Sequence, residues 1–375
     1  MTRPPLSFER LQADGAARAG RLSTPHGDVE TPAFMPVATY GAVRGVTPEE
    51  LARAGAQIVL ANTYHLHERP GEAIVARCGG LHGFTGWRGP WLTDSGGFQV
   101  TSLAASARVD EDGVTFASPV DGTRRHLTPE SAVAIQETLG ADIAMALDEC
   151  LPAVHDAGGA RSRAAMERTL RWAERSRRAH KRADQWLFGI VQGGADATLR
   201  RASARATREI HFDGYAHGGL GLGEAAAARA DLLAVAHDEL PADSPRYLMG
   251  LGRPIDLVDA IAAGVDLFDC VLPTRHARHG VLFTRAGLLR LRNARYRDDA
   301  LPPDPGCDCE TCARYSRAYL RHLLQAGESL AGRLASLHNL RFYLRLLEEA
   351  RAAIVTGRFA ALREEVTRQS EATPP

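Results

Sequence analysis

The chain has 375 residues, 45% of them hydrophobic, which is enough for one large domain or two ordinary ones. Lysine plus arginine and aspartate plus glutamate each number 45, so the formal net charge is zero and any nucleic-acid partner needs a local basic patch rather than a global field. No apolar run reaches membrane length and MTRPPLSFERLQADGAARAG holds no signal-peptide core, so a cytoplasmic protein without membrane contact is expected.

In chain order, TPEELARAGA predicts a helix opened by Thr-Pro-Glu, and QIVLANTYHL and PWLTDSG predict strands. DGVTFASPVDGTRRHLT reads as a hairpin inserted into a strand-to-helix connection. A second Thr-Pro-Glu opens the helix TPESAVAIQETLG, followed by the strand DIAMALDEC and the long amphipathic helix SRAAMERTLRWAERSRRAHKRA. The strands LFGIVQGG, YAHGGLGLG, RYLMGLG and VDLFDCVLP then alternate with the helices EAAAARADLLAVAHDEL and PIDLVDAIAAG. This alternation predicts a parallel sheet, either a closed barrel or a doubly wound one.

The polar residues favour the barrel. Asp94, Asp148, Gln192, Gly219, Met249 and Asp269 each fall at or just past the C-terminal end of a strand candidate, where a (β/α)8 barrel collects its active site. A doubly wound sheet would gather them at one or two switch points, and GGLGLGE is weak as a nucleotide fingerprint. The expected architecture is an α/β (β/α)8 TIM barrel over residues 1–290, with an inserted hairpin, and a zinc-binding subdomain over 291–375 reached through LPPDPG.

Cys307, Cys309 and Cys312, with His338 on a later helix, supply three thiolates and an imidazole. That set satisfies tetrahedral zinc with no open position, so one structural ion is expected; His322, nearer in sequence, is the competing fourth ligand.

VDLFDCVLP poses a problem of its own, because an apolar run that reads as buried carries Asp266 and Asp269. A buried carboxylate costs several kcal/mol unless it is paired or at work. Two aspartates in one barrel mouth, Asp94 and Asp269, allow substitution at a sugar carbon with retention, one attacking and the other moving the proton. Asp148 can accept two N–H groups from the amidine edge of guanine. Gln192 and Gly219 can donate to its carbonyl oxygen, while Phe98 and Met249 sandwich the ring. Taken singly, each has a plainer reading: a cap for Asp94, a loop brace for Gln192, core for Met249. A basic loop after Asp269, with Arg275, His276, Arg278 and His279, would hold phosphates.

Together TDSGGFQV, ALDEC, GIVQGG, GGLGLGE, YLMGLG, DLFDCVLPTR and CDCETC…LHN resemble the bacterial tRNA-guanine transglycosylases, in order and over nearly the whole chain. The resemblance implies a zinc-bearing (β/α)8 barrel and a homodimer. It implies exchange of the wobble guanine of GUN-anticodon tRNAs (Asp, Asn, His, Tyr) for 7-aminomethyl-7-deazaguanine (preQ1) in queuosine synthesis. It makes Asp269 the nucleophile of a covalent tRNA intermediate and Asp94 the general acid/base. It gives base binding to Asp148, Gln192, Gly219, Leu220, Phe98 and Met249, with Cys150 and Leu222 beside them, and RNA contacts to Thr274, Arg275, His276 and Arg278. Phe84, Tyr315, Tyr319 and His322 would meet the second subunit, although a core stripe is the plainer reading of the last three. The chain departs from the commoner pattern at Gly221 and Leu222, where Ala-Val is usual, and at His276 and His279, where asparagine is common.

Three other readings compete. A non-catalytic zinc-bearing subunit would lack the nucleophile, whereas Asp94 and Asp269 are both present. A sugar-cleaving glycosidase would not need the guanine-edge set. An archaeal-type enzyme acting on the D-arm usually has further RNA-binding domains after the zinc site.

Overall fold

The computed structural model describes residues 6–103, 107–151 and 159–371. Its centre is an 8-stranded parallel sheet formed by Ala33–Pro36, Val59–Ala61, Trp91–Thr93, Ile143–Met145, Trp186–Val191, Gly214–His217, Arg246–Leu248 and Leu267–Cys270, called strands one to eight below. Strand eight pairs with strand one, and a parallel bridge between Val37 and Leu60 joins one to two, closing the barrel. The strands are buried on both faces, which explains their unbroken apolar runs. Met35, Leu92, Ile143, Met145, Phe188, Ile190, Tyr247 and Leu267 fill the interior. Their neighbours Phe34, Trp91, Leu248 and Phe268 face the helices.

The helix starts follow local chemistry. Thr47 and Thr128 cap Pro48–Arg53 and Pro129–Leu139, each with proline in the first turn. In the first helix Glu50 closes the capping box. In the second Ser131 does so, and Glu130 instead pairs with Arg175 at 2.7 Å. The expected hairpin is present as Val114–Ala117 against Arg124–Leu127, inserted between strand three and the helix Pro129–Leu139.

Three features were not anticipated. Strand one is only four residues, AFMP, too short to stand out as a run. Before it, Ser7–Asp14, Ala17–Thr24 and Gly27–Thr31 form an antiparallel sheet whose Leu22 and Val29 join the barrel-interior cluster at its N-terminal mouth. The Asp14-Gly15 dipeptide between its first two strands, with Gly15 at φ 62°, is the turn signal that marks this hairpin. After strand eight, the expected basic loop is instead a helix, Leu272–Arg278, started by Pro273 in its first turn. The long helix Ser329–Val355 then buries Leu340, Tyr343, Leu344 and Leu347 in the same cluster as Phe34 and Phe268, fastening the cysteine-bearing segment to the barrel wall. Among the described residues no helix is long and apolar enough to cross a membrane.

Candidate active site and metal centre

The C-terminal strand ends surround a cavity of ≈ 380 Å³. Asp94, Phe98, Asp148, Cys150, Gly219, Leu220, Leu222, Met249 and Asp269 all line it, so five stretches widely separated in sequence converge as the barrel requires. A larger surface cleft of ≈ 650 Å³ is lined by Glu50, Asp308 and Arg341, of which Glu50 is paired with Arg333 and Asp308 with Arg341.

The two aspartates of strand eight part company. Leu267 faces the barrel interior and Phe268 the helices, so Asp269 returns to the interior at the mouth by the two-residue period of a strand. Its Oδ1 accepts the Tyr247 hydroxyl at 2.6 Å and the Gly250 N–H at 2.7 Å. Oδ2 accepts no hydrogen bond from a described residue. Burial raises the Asp269 carboxyl above the ordinary carboxylate range, against the pull of the Tyr247 hydroxyl and the Gly250 N–H. Asp266 lies at the opposite end, fully buried. It binds the Arg18 guanidinium through both oxygens, with Nε at 2.9 Å, and accepts the Arg246 N–H at 2.7 Å.

Asp94 is 6% exposed. Its Oδ1 accepts the Thr63 N–H at 2.9 Å, and its Oδ2 accepts the Gln99 amide at 2.8 Å and the Asn62 amide. Burial pushes its carboxyl up to about 6 against these donors, and the charge of Asp269 adds to the rise. A group with that value can both give and take a proton near neutrality.

Asp148 is likewise pushed up to about 6 by burial, against hydrogen bonds from Gln192 and Ser95. Gln192 does not line the cavity. Its amide donates to Asp148 Oδ2 at 2.6 Å and is wedged against the Gly218-Gly219 turn. A Cβ on Gly219, at φ +67°, would stand 2.7 Å from the Gln192 amide oxygen, so both the turn and the amide demand glycine there. The Cys150 thiol, pushed up to about 12 by burial and then by Asp148, stays neutral beside them. Phe98 is 46% exposed at the rim, with Met249 half-buried.

Sequence reasoning missed the groups that hold this pocket. Arg200, fully buried, donates to the carbonyls of Gly194 at 2.9 Å, Val191 at 3.3 Å and Gly218 at 2.5 Å, pinning the loops after strands five and six. The signal was available, since Arg200 lies on the same face of the helix Ala197–Glu209 as the buried Ser203, Ala204 and Thr207. The Glu224 carboxylate accepts the Gly221 N–H at 2.6 Å and the Leu222 N–H at 3.2 Å and is itself held by Arg229 at 2.8 Å. GGLGLGE is therefore a loop braced by its own glutamate.

Beyond the mouth, Arg275 and Arg278 point to solvent, while Thr274 is buried and donates to the Val271 carbonyl at 3.3 Å. His276 is half-buried and stacks on Phe283 at 5.3 Å, and burial followed by the neighbouring arginines lowers its imidazole, keeping it neutral near pH 7. His279 is exposed. Arg44, absent from the sequence expectations, approaches Arg278 closely enough for its charge to depress that guanidinium, after burial. None of Arg44, Arg275 and Arg278 has a carboxylate of a described residue within ion-pair distance, so a basic patch stands beside the cavity on an electrically neutral chain.

Cys307, Cys309, Cys312 and His338 come together with their ligand atoms all within 4.8 Å of one another. His338 Nδ1 lies 3.5 Å from the Cys309 sulfur and 3.2 Å from the Cys312 sulfur. Tetrahedral zinc with ordinary Zn–S and Zn–N bonds would set such pairs about 3.5 Å apart. His338 Nε2 sits 2.8 Å from the Phe283 carbonyl, which holds the proton on that nitrogen and turns Nδ1 to the thiolates. The cluster can hold a metal ion and fits zinc. His322 lies outside it, exposed, with Tyr319 40% and Phe84 39% exposed. Tyr315 and Tyr319 stack at 5.5 Å. Tyr319 and His322 therefore lie at the surface, while Tyr315 is half-buried against the cluster of Leu320 and Leu323.

A family model described as "Queuine tRNA-ribosyltransferase" matches residues 13–372. Relatives carrying that same name include one from Thioalkalivibrio sulfidiphilus, 52% identical over 98% of this chain and 99% of its own length. Another, from Solidesulfovibrio magneticus, is 53% identical over 96% of this chain and 97% of its own. A third, from Thermus thermophilus, is 53% identical over 97% and 94% respectively.

Proposed function

Because the chain belongs to the queuine tRNA-ribosyltransferase family, whose members are pentosyl-transferring enzymes of tRNA queuosine modification, we propose that it exchanges the wobble guanine of GUN-anticodon tRNAs for preQ1. The observation that carries the reaction type is the pair of mouth carboxylates, Asp94 and Asp269, neither of which touches a cation.

Asp269 Oδ2 attacks C1′ of the target nucleotide as the C1′–N9 bond breaks. Asp94 supplies the proton that lets guanine leave. In the second half N9 of preQ1 attacks C1′, the C1′–Oδ2 bond breaks, and Asp94 takes the incoming proton. Two inversions give net retention. The Tyr247 hydroxyl and the Gly250 N–H fix Asp269 by one oxygen, which supports attack by the other. Burial and the adjacent Asp269 carboxylate hold the Tyr247 phenol far above its usual value, so it remains a donor throughout.

Asp148 accepts the amidine edge of the base, Gly219 and Leu220 meet it through backbone, and Phe98 and Met249 take its faces. Gln192 serves first by holding Asp148. Leu222, half-buried on the cavity wall, limits the space for a 7-substituent to something near an aminomethyl group. Arg275 and Arg278 meet anticodon-arm phosphates, joined by Arg44, while Thr274 and His276 shape that helix from beneath. Cys307, Cys309, Cys312 and His338 would hold one zinc per subunit, tying the cysteine loop to the helix Ser329–Val355 within the 291–375 segment, with no position left for catalysis. The exposed Phe84, Tyr319 and His322, with the half-buried Tyr315, suit a homodimer contact, and the reaction belongs in the cytoplasm with its tRNA. Labelled guanine and labelled preQ1 test the reading. Both should enter a GUN-anticodon transcript and neither should enter one whose wobble base is changed, whereas exchange at another position would refute the assignment.

A further inference from the structure

A second cluster of metal-type ligands stands at the other end of the barrel. We propose that His26, His82 and Asp142 form a binding site for a divalent first-row transition ion, Zn2+ foremost. Their ligand atoms lie within 4.8 Å of one another. His26 Nδ1 is 2.7 Å from Asp142 Oδ1, and His82 Nε2 is 3.4 Å from Asp142 Oδ2. The two imidazoles stack face to face, centroids 3.4 Å apart and planes 17° from parallel, with both edges turned to the same carboxylate. Two nitrogens bound to one tetrahedral ion at ordinary length sit roughly 3.3 Å apart, so the facing donors are already within reach, and the rings must tilt out of their stack for both lone pairs to converge on an ion. Two imidazoles and a carboxylate are a borderline donor set that suits zinc, cobalt and nickel better than magnesium or calcium.

Three chain segments meet here. His26 occupies the turn between Ala17–Thr24 and Gly27–Thr31, His82 the helix Gly80–Thr85, and Asp142 the residue before strand four. The Trp91 N–H donates to Asp142 Oδ2 at 2.8 Å and fixes the carboxylate from behind, the role an outer-shell donor plays in metal sites. The Asp142 side chain is buried, whereas His82 and His26 are 15% and 29% exposed, which leaves a path for an ion and a position for water. His82 Nε2 also contacts the Gly89 carbonyl at 3.1 Å, an interaction the ion must displace. Without metal, each imidazole donates N–H to the carboxylate; with it, the protons move to His26 Nε2 and His82 Nδ1 and the facing nitrogens bind through their lone pairs. Asp142 precedes strand four and Asp148 follows it, so an ion here lies at the opposite mouth from the reacting atoms. Its effect would be to tie the N-terminal sheet to the barrel.

Zinc-loaded holoenzyme dialysed against buffered free Zn2+ tests this. The wild type should gain a second ion per chain, and its unfolding midpoint should rise with added Zn2+. His26→Gln and His82→Gln should each weaken the second ion by at least about tenfold. The double variant should keep one ion and lose the Zn2+-dependent rise. In a second measurement that needs no variant, Co2+ added to the zinc-loaded wild type should shift the resonances of two histidines without a sulfur-to-cobalt absorption band. A wild type that stays at one ion, a double variant that takes up the second with wild-type affinity, or a sulfur band without histidine shifts would each overturn the proposal.

Discussion

The two mouths of the barrel treat the same side chain in opposite ways. At the N-terminal mouth, Asp266 is held by the Arg18 guanidinium, and Asp142 faces two imidazoles and the Trp91 N–H. At the C-terminal mouth, Asp94, Asp148 and Asp269 accept, among the described residues, from amides, hydroxyls and backbone N–H groups. Burial pushes against ionisation at both ends, yet Asp142 ends at about 2 under its histidines and the Trp91 N–H, while Asp94 and Asp148 end at about 6. Even Asp266 is raised by burial, so a cation does not abolish the cost, but it occupies the charge. Asp266, which holds the fold together, is given a cationic partner. The carboxylates of the C-terminal mouth are held in place by neutral donors, and their charge or proton remains available.

The sharpest way to break this contrast is to neutralise one aspartate from each end of strand eight. Asp269→Asn should cut turnover by about 10⁴-fold or more while leaving the melting temperature level or higher, because a desolvated charge is removed. Asp266→Asn should instead cost about 3–5 kcal/mol of stability by stranding the Arg18 charge, with turnover of the folded fraction preserved. Activity assays and thermal unfolding on both variants read the two effects, and equal loss of activity in both would end the distinction.

Arg200 extends the same contrast to a buried cation. It bonds three carbonyls and no carboxylate, and burial lowers its guanidinium to about 10. Arg200→Lys should weaken base binding about 10- to 100-fold, since charged hydrogen bonds are worth roughly 1.5–3 kcal/mol and the fork cannot be replaced. Calorimetric titration with the base checks it.

The elevated mouth carboxyls also set a pH dependence. Only ionised Asp148 can accept two N–H groups, so base affinity should be full above pH 6 and fall about tenfold per unit below it, roughly tenfold between pH 7 and pH 5. Stability runs the other way. Asp94 and Asp148 bind more protons folded than unfolded between their ordinary value of 3.8 and about 6, so they weaken the fold as pH rises through that window. Asp94→Asn should flatten its share of that decline in pH-resolved unfolding.

The smallest expected change is at Tyr247. Tyr247→Phe removes one of two hydrogen bonds to Asp269 Oδ1, and a loss of about 0.5–1.5 kcal/mol corresponds to a roughly 2- to 13-fold drop in turnover. The pH-rate profile should shift upward as Asp269 becomes harder to ionise, a shift that a merely structural role would not give.

The mouth was legible in the sequence because its parts stand where short apolar strands end. Asp94, Asp148, Gly219, Met249 and Asp269 each stand at or just past the end of a buried run; the strand period places Asp94, Met249 and Asp269 on the interior side, while Asp148 and Gly219 lie in the loops beyond their strands. The cysteine cluster was legible because three of its ligands are local, and the choice of His338 over His322 needed only the return of one long helix. What holds these groups was not legible. Arg18 and Asp266 are 248 residues apart, Asn62 and Asp94 are 32 apart, and Arg200 reaches Gly218 across two loops. No period or motif records such pairings. Strand one escaped notice because four residues ending at Pro36 are too few to set a pattern, and the helix after strand eight because its basic residues read as loop.

The central claim is that Asp269 Oδ2, which accepts no hydrogen bond from a described residue, forms a bond to the ribose carbon. It is tested most directly by trapping enzyme with a GUN-anticodon transcript, running the mixture on a denaturing gel, and mapping the adduct by mass spectrometry. The wild type should give a cross-linked band whose ribose-bearing peptide contains Asp269, absent in Asp269→Asn and retained in Asp266→Asn. A band of the same size persisting in Asp269→Asn, or an adduct mapped to Asp94, would contradict the account.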